Sequence, residues 1–410
     1  MNAVVMPGRL RGRVCAPPSK SHVHRLLLAA ALCGEGQETA IRCAGENEDI
    51  AATVRCLSAL NTDICREGDW FRVRRDSPLH VFAPRGALDC GESGSTLRLL
   101  LPLCAAKPRF HPADYAIVLT GAGRLPSRPN GPLLSVLRRN GAGIEGDFLP
   151  LTVRGGLRAG DYALPGNVSS QYFSGLLFAL PLLDGGSTLA YTSPLESMPY
   201  VDLTLSVLRR FGVRIDENQN GWTIPGRQKY LSPGTAEAEG DWSAAAFWLG
   251  ADRLGNGVAV EGLDRASCQG DKAIEKLLSQ IGGEIDVSDT PDLMPVLSAV
   301  AAALPARETR IAGAARLRLK ESDRLAAMAQ AIRALGGQAE ETPDGLLIRG
   351  TKLRGGTVDG QRDHRVVMSA AVAATMCENP VTILGAEAVN KSYPAFWKDF
   401  EALGGNVHVG

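Results

Sequence analysis

Six times along the chain a helix-forming stretch ends in the pattern apolar-x-x-x-Gly and runs into a strand-like segment. The copies are LSALNTDI from Leu57, LRRNGAGI from Leu137, LRRFGVRI from Leu208, LSQIGGEI from Leu278, IRALGGQA from Ile332 and FEALGGNV from Phe400. Five place glycine four residues after the first apolar residue, where a helix ends in a left-handed backbone; the other has Asn61, the next most tolerant residue. Alternating segments around polar turns follow, such as GIEGDFLPLTVRG, VRIDENQNGWTIPG and AEETPDGLLIRG, and each predicts a β-hairpin. The spacing between copies runs from 54 residues (Leu278 to Ile332) to 80 (Leu57 to Leu137), too long for a simple solenoid repeat. A chain of 410 residues also exceeds what one core organises. Six mixed modules of strands and helices, three per lobe, with a cleft between two similar lobes, satisfy both constraints.

Punctuation places the crossings between lobes. Ser232-Pro233-Gly234 turns the chain into a new strand and helix, and Pro17-Pro18 marks a second crossing if the first strand belongs with the C-terminal lobe. The expected division is 1–18 with 235–410 as the C-terminal lobe, and 19–234 as the N-terminal lobe.

Charge excludes some partners. Lys and Arg balance Asp and Glu at 44 each, so no net field draws nucleic acid or a membrane surface, and any anion site must be a local cluster. The nine cysteines are scattered without a CxxC pair, which predicts reduced thiols rather than a disulfide framework or a zinc site. The start of the chain, MNAVVMPGRLRGRV, has no apolar signal core, and no apolar run is long enough to span a bilayer. A cytoplasmic protein is expected.

Local cation clusters stand at helix starts. In APPSKSHVHRLLLAAALC, Lys20 and Arg25 lie in the first turns of a buried helix, where the dipole disfavours cations unless an anion is bound. His22-x-His24 lacks a third ligand nearby, and no metal is expected. In DCGESGSTLRLLLPLC, Gly91, Gly94, Ser95 and Thr96 precede a helix carrying Arg98; in LPGNVSSQYFSGLLFAL, Ser169, Ser170 and Gln171 open another. Such turns cap helices everywhere, but three of them with Lys20, Arg25 and Arg124 at hand favour a phosphate-bearing ligand. Neither GxxxxGK[ST] nor GxGxxG occurs at these turns, so nucleotide binding is not supported. In the C-terminal half, Asp363, His364 and Arg365 precede an apolar helix, Lys391 lies in a polar turn, and Asp292 reads as the cap of a buried helix. Asp363 with Arg365 reads as a local ion pair.

The segment LRLKESDRLAAMAQAIRALGG, 317–337, reads as one amphipathic helix with Glu321, Leu325, Met328, Ile332 and Leu335 on a single face. A carboxylate then occupies a core-facing position, flanked at i,i+4 by the like charges Lys320 and Arg324. Asp323 is left as a solvent-side partner for its cationic neighbours.

Nine blocks, PPSKSHVHR, CGESGSTLR, LTGAGRLPSRP, GNVSSQ, SMPYVD, TPDLMP, LKESDR, DHRVVM and NKSYP, stand in this order between residue 17 and about 397. In this the chain resembles the 5-enolpyruvylshikimate-3-phosphate synthases of the enolpyruvyl transferase family. The resemblance implies an α/β fold of two similar lobes, each of three βαβαββ repeats, an inside-out α/β barrel with the first strand in the C-terminal lobe. It also implies transfer of the carboxyvinyl group of phosphoenolpyruvate to the 5-hydroxyl of shikimate 3-phosphate, with no metal or cofactor and with lobe closure on binding. The implied partners are those two small molecules, with no nucleic acid and no membrane, and the implied state is a monomer.

By block matching, Lys20, Ser21, Arg25, Ser169, Ser170, Gln171 and Ser197 are expected to hold shikimate 3-phosphate on the N-terminal lobe, with Asp292 and Lys320 on its hydroxyls. Phosphoenolpyruvate is expected at Arg324, Arg365 and Lys391 of the C-terminal lobe, the phosphoenolpyruvate side, together with Lys20, Gly94, Arg124 and Gln171. Asp292 is the expected base for the 5-hydroxyl and Glu321 the acid for the methylene carbon, with Lys20 beside the leaving phosphate. A carboxyl that donates a proton at neutral pH needs a raised pKa, which the neighbouring Lys320 and Arg324 oppose. The chain departs from many members at Glu92-Ser93 (Asn-Ala), Met198 (a basic residue) and Arg316 (a ligand-contacting Asn), which bears on affinity and on sensitivity to the inhibitor glyphosate, for which Gly94 leaves room. The sister transferase acting on a UDP-aminosugar and a non-catalytic anion-binding homologue are the alternatives.

Overall fold

A computed structural model describes residues 1–75, 86–106 and 116–410. The chain divides into two compact units: a continuous one, Lys20–Ala238, and a discontinuous one, Met1–Ser19 with Glu239–Gly410. The return crossing falls after Ala238, a few residues beyond the turn at Pro233-Gly234. The reason is that Thr235–Glu237 still pairs in parallel with Glu38–Arg42 of the continuous unit.

The continuous unit carries helices α1 (Lys20–Ala31), α2 (Glu48–Ala59), α3 (Gly94–Ala105), α4 (Gly131–Arg139), α5 (Ser170–Ala179) and α6 (Met198–Arg210). The discontinuous unit carries α7 (Trp242–Arg253), the short α8 (Ile274–Leu277), α9 (Met294–Ala303), α10 (Arg324–Ala334), α11 (His364–Ala374) and α12 (Phe396–Ala402). Among the described residues five four-stranded sheets share one order. In the first strand pair, Asp161–Leu164 runs parallel to Ser187–Tyr191 through the crossover helix α5; the hairpin Asp216–Asn218 with Gly221–Ile224 then adds antiparallel. In the last repeat the closing strand is supplied from the other end of the chain, since Asn2–Val5 inserts between Val381–Leu384 and Val407–Val409.

All six helix ends of the repeat adopt positive φ: Asn61 at 61°, Gly141 at 93°, Gly212 at 77°, Gly282 at 102°, Gly336 at 82° and Gly404 at 86°. The expectation of a hairpin after every copy fails twice: after Phe400 the single strand Val407–Val409 pairs with Asn2–Val5. After Leu278, a 3-10 turn leads through Gly282 into a single strand, Glu284–Asp286, which starts the next sheet, and the module before it keeps only the parallel pair Arg11–Cys15 with Gly257–Glu261.

Helix burial alternates with repeat position. In α1, α3, α5, α9 and α11 nearly every residue is buried, whereas α2, α4, α6 and α10 keep a polar exposed face. A helix apolar on all sides belongs in the centre of its unit and an amphipathic one on the outside. In the discontinuous unit α7, α9 and α11 pack on one another, and in the continuous unit α3 packs on α5 and α1. The three central helices of each unit bring their N-terminal turns to a common end, and the polar residues of interest stand there.

Candidate functional site

In the discontinuous unit the starts of α7, α9, α10 and α11 contribute Ser243, Asp292, Arg324 and Arg365 to one ion network. Asp292 lies within the 3-10 turn Pro291–Leu293 rather than capping α9, and its carboxylate faces cations instead of backbone N–H groups. Arg324 Nη1 donates to its Oδ1 at 2.8 Å and Arg365 Nη2 to its Oδ2 at 3.1 Å. Arg365 also donates to the Asp292 carbonyl at 3.0 Å and to Ser243 Oγ at 2.7 Å. Lys320 Nζ is 4.0 Å from Asp292. Arg324, buried, is shared further: its Nε donates to Asp363 at 2.8 Å and its Nη2 to Glu321 at 2.9 Å. Lys391 Nζ stands 3.9 Å from Glu321.

Two expectations about this region are corrected. The segment 317–337 is not one helix: a 3-10 turn, Ala315–Leu319, precedes an extended Lys320, and α10 begins only at Arg324, capped by Asp323, whose carboxylate accepts from Ala326 N at 3.1 Å. Glu321 therefore lies before the helix, where its chain is free to turn toward Arg324, and Asp323 is a cap that also pairs with Arg318 at 3.1 Å. Asp363 and Arg365 do not form a local ion pair either. Asp363 caps α11 by accepting from the Arg365 backbone N–H at 3.0 Å and spends its charge on Arg324, while the Arg365 guanidinium goes to Asp292.

Electrostatics follows from this crowding. Burial by itself would raise the Asp292 pKa, but Arg365, Lys320 and Arg324 outweigh it, against Glu321, and hold the carboxyl well below the usual carboxylate range. Burial would lower Arg324, yet Asp363, Glu321 and Asp292 drive it above the ordinary arginine range.

In the continuous unit Lys20 opens α1 and its Nζ pairs with Asp49 Oδ2 of α2 at 2.8 Å. Arg25, one turn further, donates to neutral acceptors: Ser21 O at 2.7 Å, Thr204 Oγ1 at 2.7 Å, Tyr200 O at 2.9 Å and Ser174 Oγ at 3.3 Å. It thus ties α1 to α5 and α6. Gly94, Ser95 and Thr96 form the first turn of α3 instead of preceding it, because Ser93 is the cap and accepts from Thr96 N at 3.2 Å. Ser169 caps α5, and Ser170 and Gln171 are its first residues. Arg98 donates to Gln171 Oε1 at 3.0 Å, which fixes the amide so that its Nε2 donates to Ser95 Oγ at 2.9 Å. Ser197 starts α6 buried and with φ at 59°, a left-handed backbone unusual for a side chain of its size. Arg124 stands exposed at the start of the 3-10 turn Leu125–Ser127.

Within each unit, then, the expected residues gather by helix start: Asp292, Lys320, Glu321, Arg324, Arg365 and Lys391 in one, Lys20, Ser21 and Arg25, and Gly94 with Gln171, in the other. Sequence reasoning passed over Asp49, the partner of Lys20, because an acid in a first helical turn is already explained by the dipole. It also paired Asp363 with the wrong arginine and left Ser243 without a role, and their actual contacts span 39 and 122 residues of chain. Among the described residues no group of three or more metal-ligating side chains is placed to hold a metal ion.

Comparison with known proteins bears on this arrangement. The profile of EPSP synthase (3-phosphoshikimate 1-carboxyvinyltransferase) matches residues 4–294 and 282–400. The chain is 41% identical over 435 residues to a 3-phosphoshikimate 1-carboxyvinyltransferase of Clostridium acetobutylicum, covering 100% of this chain and 99% of that one. It is 40% identical over 440 residues to one of Halobacterium salinarum, covering 99% and 100%. Its fold matches the structure of an EPSP synthase from Acinetobacter baumannii with a TM-score of 0.81 at 26% identity, over 100% of both chains.

Proposed function

The chain belongs to the EPSP synthase (3-phosphoshikimate 1-carboxyvinyltransferase) family, and we propose how its residues divide the work of that family's reaction. The enzyme transfers the carboxyvinyl group of phosphoenolpyruvate to the 5-hydroxyl of shikimate 3-phosphate and releases phosphate. Both substrates are anions, and one observation carries the assignment of residues: Arg324, with 2% of its side chain exposed, is shared among Asp292, Glu321 and Asp363. A buried ion cluster adds little stability over apolar side chains of the same volume, so stability alone does not account for it.

The cluster is an anion site filled by the protein's own carboxylates. The carboxylate and phosphate of phosphoenolpyruvate take over N–H groups of Arg324 and Arg365, whose planar forks suit both groups, and Lys391 adds charge. Asp292 is thereby released from the cations that depress its pKa and becomes basic enough to take the 5-hydroxyl proton as that oxygen bonds to C2 of phosphoenolpyruvate. Glu321 donates a proton to the methylene carbon, making it a methyl. It then takes one back as the bond from C2 to the phosphate oxygen breaks, and phosphate leaves beside Lys20. Lys320 serves the hydroxyls of shikimate 3-phosphate. In the continuous unit, Ser169, Ser170, Gln171 and Ser197 receive the shikimate phosphate and ring with Lys20, Ser21 and Arg25, while Gly94, Arg124, Lys20 and Gln171 also serve phosphoenolpyruvate.

Among the described residues no helix is long and apolar enough to cross a membrane. We place the enzyme in the cytoplasm, as a monomer acting on small molecules. Mixing the protein with both substrates and measuring inorganic phosphate tests the assignment; release is expected only when both are present. No release from folded protein would overturn it.

A further inference from the structure

We propose that His24, as a neutral imidazole, is a positioning residue that sets the spacing between Lys20 and the first turn of α3. This rests on the reaction assigned above. Two rungs join α1 to α2. The outer one is the Lys20–Asp49 ion pair at 2.8 Å. The inner one, a turn further along both helices, is His24 Nδ1 to Thr53 Oγ1 at 2.7 Å. The inner rung does not stop at α2. Thr53 Oγ1 lies 2.7 Å from Thr96 Oγ1 of α3, and Thr96 Oγ1 lies 2.8 Å from Ser93 Oγ and 3.4 Å from the Asp49 carbonyl. Ser93, the cap of α3, ends the chain immediately before Gly94.

All four side chains are shut off from solvent, with His24, Thr53, Thr96 and Ser93 each at 0% exposure. Three packed helices do not need such a chain, because Leu and Val of like volume would fill the space without desolvating an imidazole and three hydroxyls. What the chain adds is direction: each link fixes one oxygen or nitrogen against the next, so α1, α2 and α3 hold one separation and one rotation. The groups held in register are Lys20 and Asp49 on one side and the N–H groups of the first turn of α3 on the other. The imidazole serves this purpose only when neutral. His24 Nε2 is buried without a hydrogen-bond partner among the described residues, and the charged groups facing the ring are Asp49 of α2 with Lys20 and Arg25 of α1. A second ring N–H would find no acceptor and two cations nearby.

The test separates hydroxyl from volume at Thr96. Thr96→Val keeps the methyl and removes the link; Thr96→Ser keeps the link and removes the methyl. Steady-state kinetics should show the KM for phosphoenolpyruvate rising about tenfold in Thr96→Val and His24→Leu, with the KM for shikimate 3-phosphate changed less than threefold and the Thr96→Ser variant within twofold of wild type. The double variant His24→Leu/Thr96→Val should be no worse than the worse single one, since both cut the same chain. A merely structural role predicts the opposite order, with Thr96→Ser losing more melting temperature than Thr96→Val and neither changing the ratio of the two KM values. An active wild type with that outcome overturns the inference about His24 alone, whereas an inactive wild type overturns the assigned reaction and this inference with it. Should His24→Leu fail to fold, the two Thr96 variants decide.

Discussion

Asp363 accepts a hydrogen bond from Arg324 Nε at 2.8 Å in a pair whose side chains show 0% and 2% of their surface to solvent. The same carboxylate takes Ser322 Oγ at 3.0 Å and the N–H of Arg365 at 3.0 Å, so it is a hub between the starts of α10 and α11. Making such a pair contributes little net stability, but removing one partner strands the other's charge. Asp363→Ala should therefore lower the unfolding free energy by about 3–5 kcal/mol, with about 1 kcal/mol of it from the lost helix cap. Urea unfolding measures this. A variant as stable as wild type would mean that Arg324 finds other partners at no cost.

Asp292 pairs with Arg324 and Arg365, the two guanidinium groups assigned above to phosphoenolpyruvate, so under that assignment it competes with the incoming substrate. Asp292→Asn removes the competing charge while keeping the shape. Two changes of opposite sign are expected: phosphoenolpyruvate binds about tenfold more tightly by calorimetry, and turnover falls by about 10²–10⁴-fold through loss of the base. Weaker binding in this variant would show that Asp292 orients the guanidinium groups rather than occupying their site.

Glu321 touches the same guanidinium but is assigned a different task in the proposed reaction. Glu321→Gln preserves a hydrogen-bond acceptor for Arg324 Nη2 and cannot deliver or recover a proton at carbon. Turnover should drop by about 10²–10⁴-fold, with each KM within about threefold of wild type. A turnover number close to wild type would reduce Glu321 to a structural partner of Arg324.

The repeat was legible because its signal is a local backbone demand. A helix that must end in the left-handed region needs glycine or asparagine, and Asn61, Gly141 and Gly212 all show it. The central helices were legible too, since α5 and α9 are apolar on every side. The start of α10 was misread because Glu321 continues the i,i+4 pattern of Leu325, although Asp323, a strong cap, stood between them. Pairings such as Lys20 with Asp49 and Arg324 with Asp363 were beyond reach, because repeats set them side by side and no local pattern records which helix starts meet. Helix-start position pointed to Lys20 as a ligand and only the family resemblance to Arg324, and neither named Asp49 or Asp363 as an acid that holds them.

Stability should carry the signature of a neutral buried His24. Burial, the largest influence, pushes the ring from 6.5 down to about 3, with Lys20 and Arg25 acting the same way and Asp49 opposing. The unfolded chain takes up a proton near pH 6.5 and the folded one does not. This contribution is therefore fully present above pH 6.5 and is lost as pH falls toward 3. Between pH 6.5 and 5.0 the loss is about 2 kcal/mol, at roughly 1.4 kcal/mol per unit. In His24→Leu that slope should shrink by one proton when urea midpoints are compared across the window. An unchanged slope would mean that the ring is charged in the folded protein.

Gly94 opens α3 with an ordinary negative φ, so alanine suits its backbone, and Gly→Ala in a helix is favourable by up to about 1 kcal/mol. The space around it argues the other way. A Cβ at this position would lie 2.9 Å from Arg128 Nη1 and 3.2 Å from its Cζ, and Arg128 is itself buried at 6% exposure. The guanidinium must move by a few tenths of an ångström, and the methyl occupies room above the first turn of α3 that is assigned to phosphoenolpyruvate. Stability and activity should therefore part: Gly94→Ala keeps or slightly raises the melting temperature while the KM for phosphoenolpyruvate rises about tenfold and that for shikimate 3-phosphate stays within twofold. If both KM values rise together, the displaced Arg128 serves shikimate 3-phosphate as well, and Gly94 is not selective for the smaller substrate.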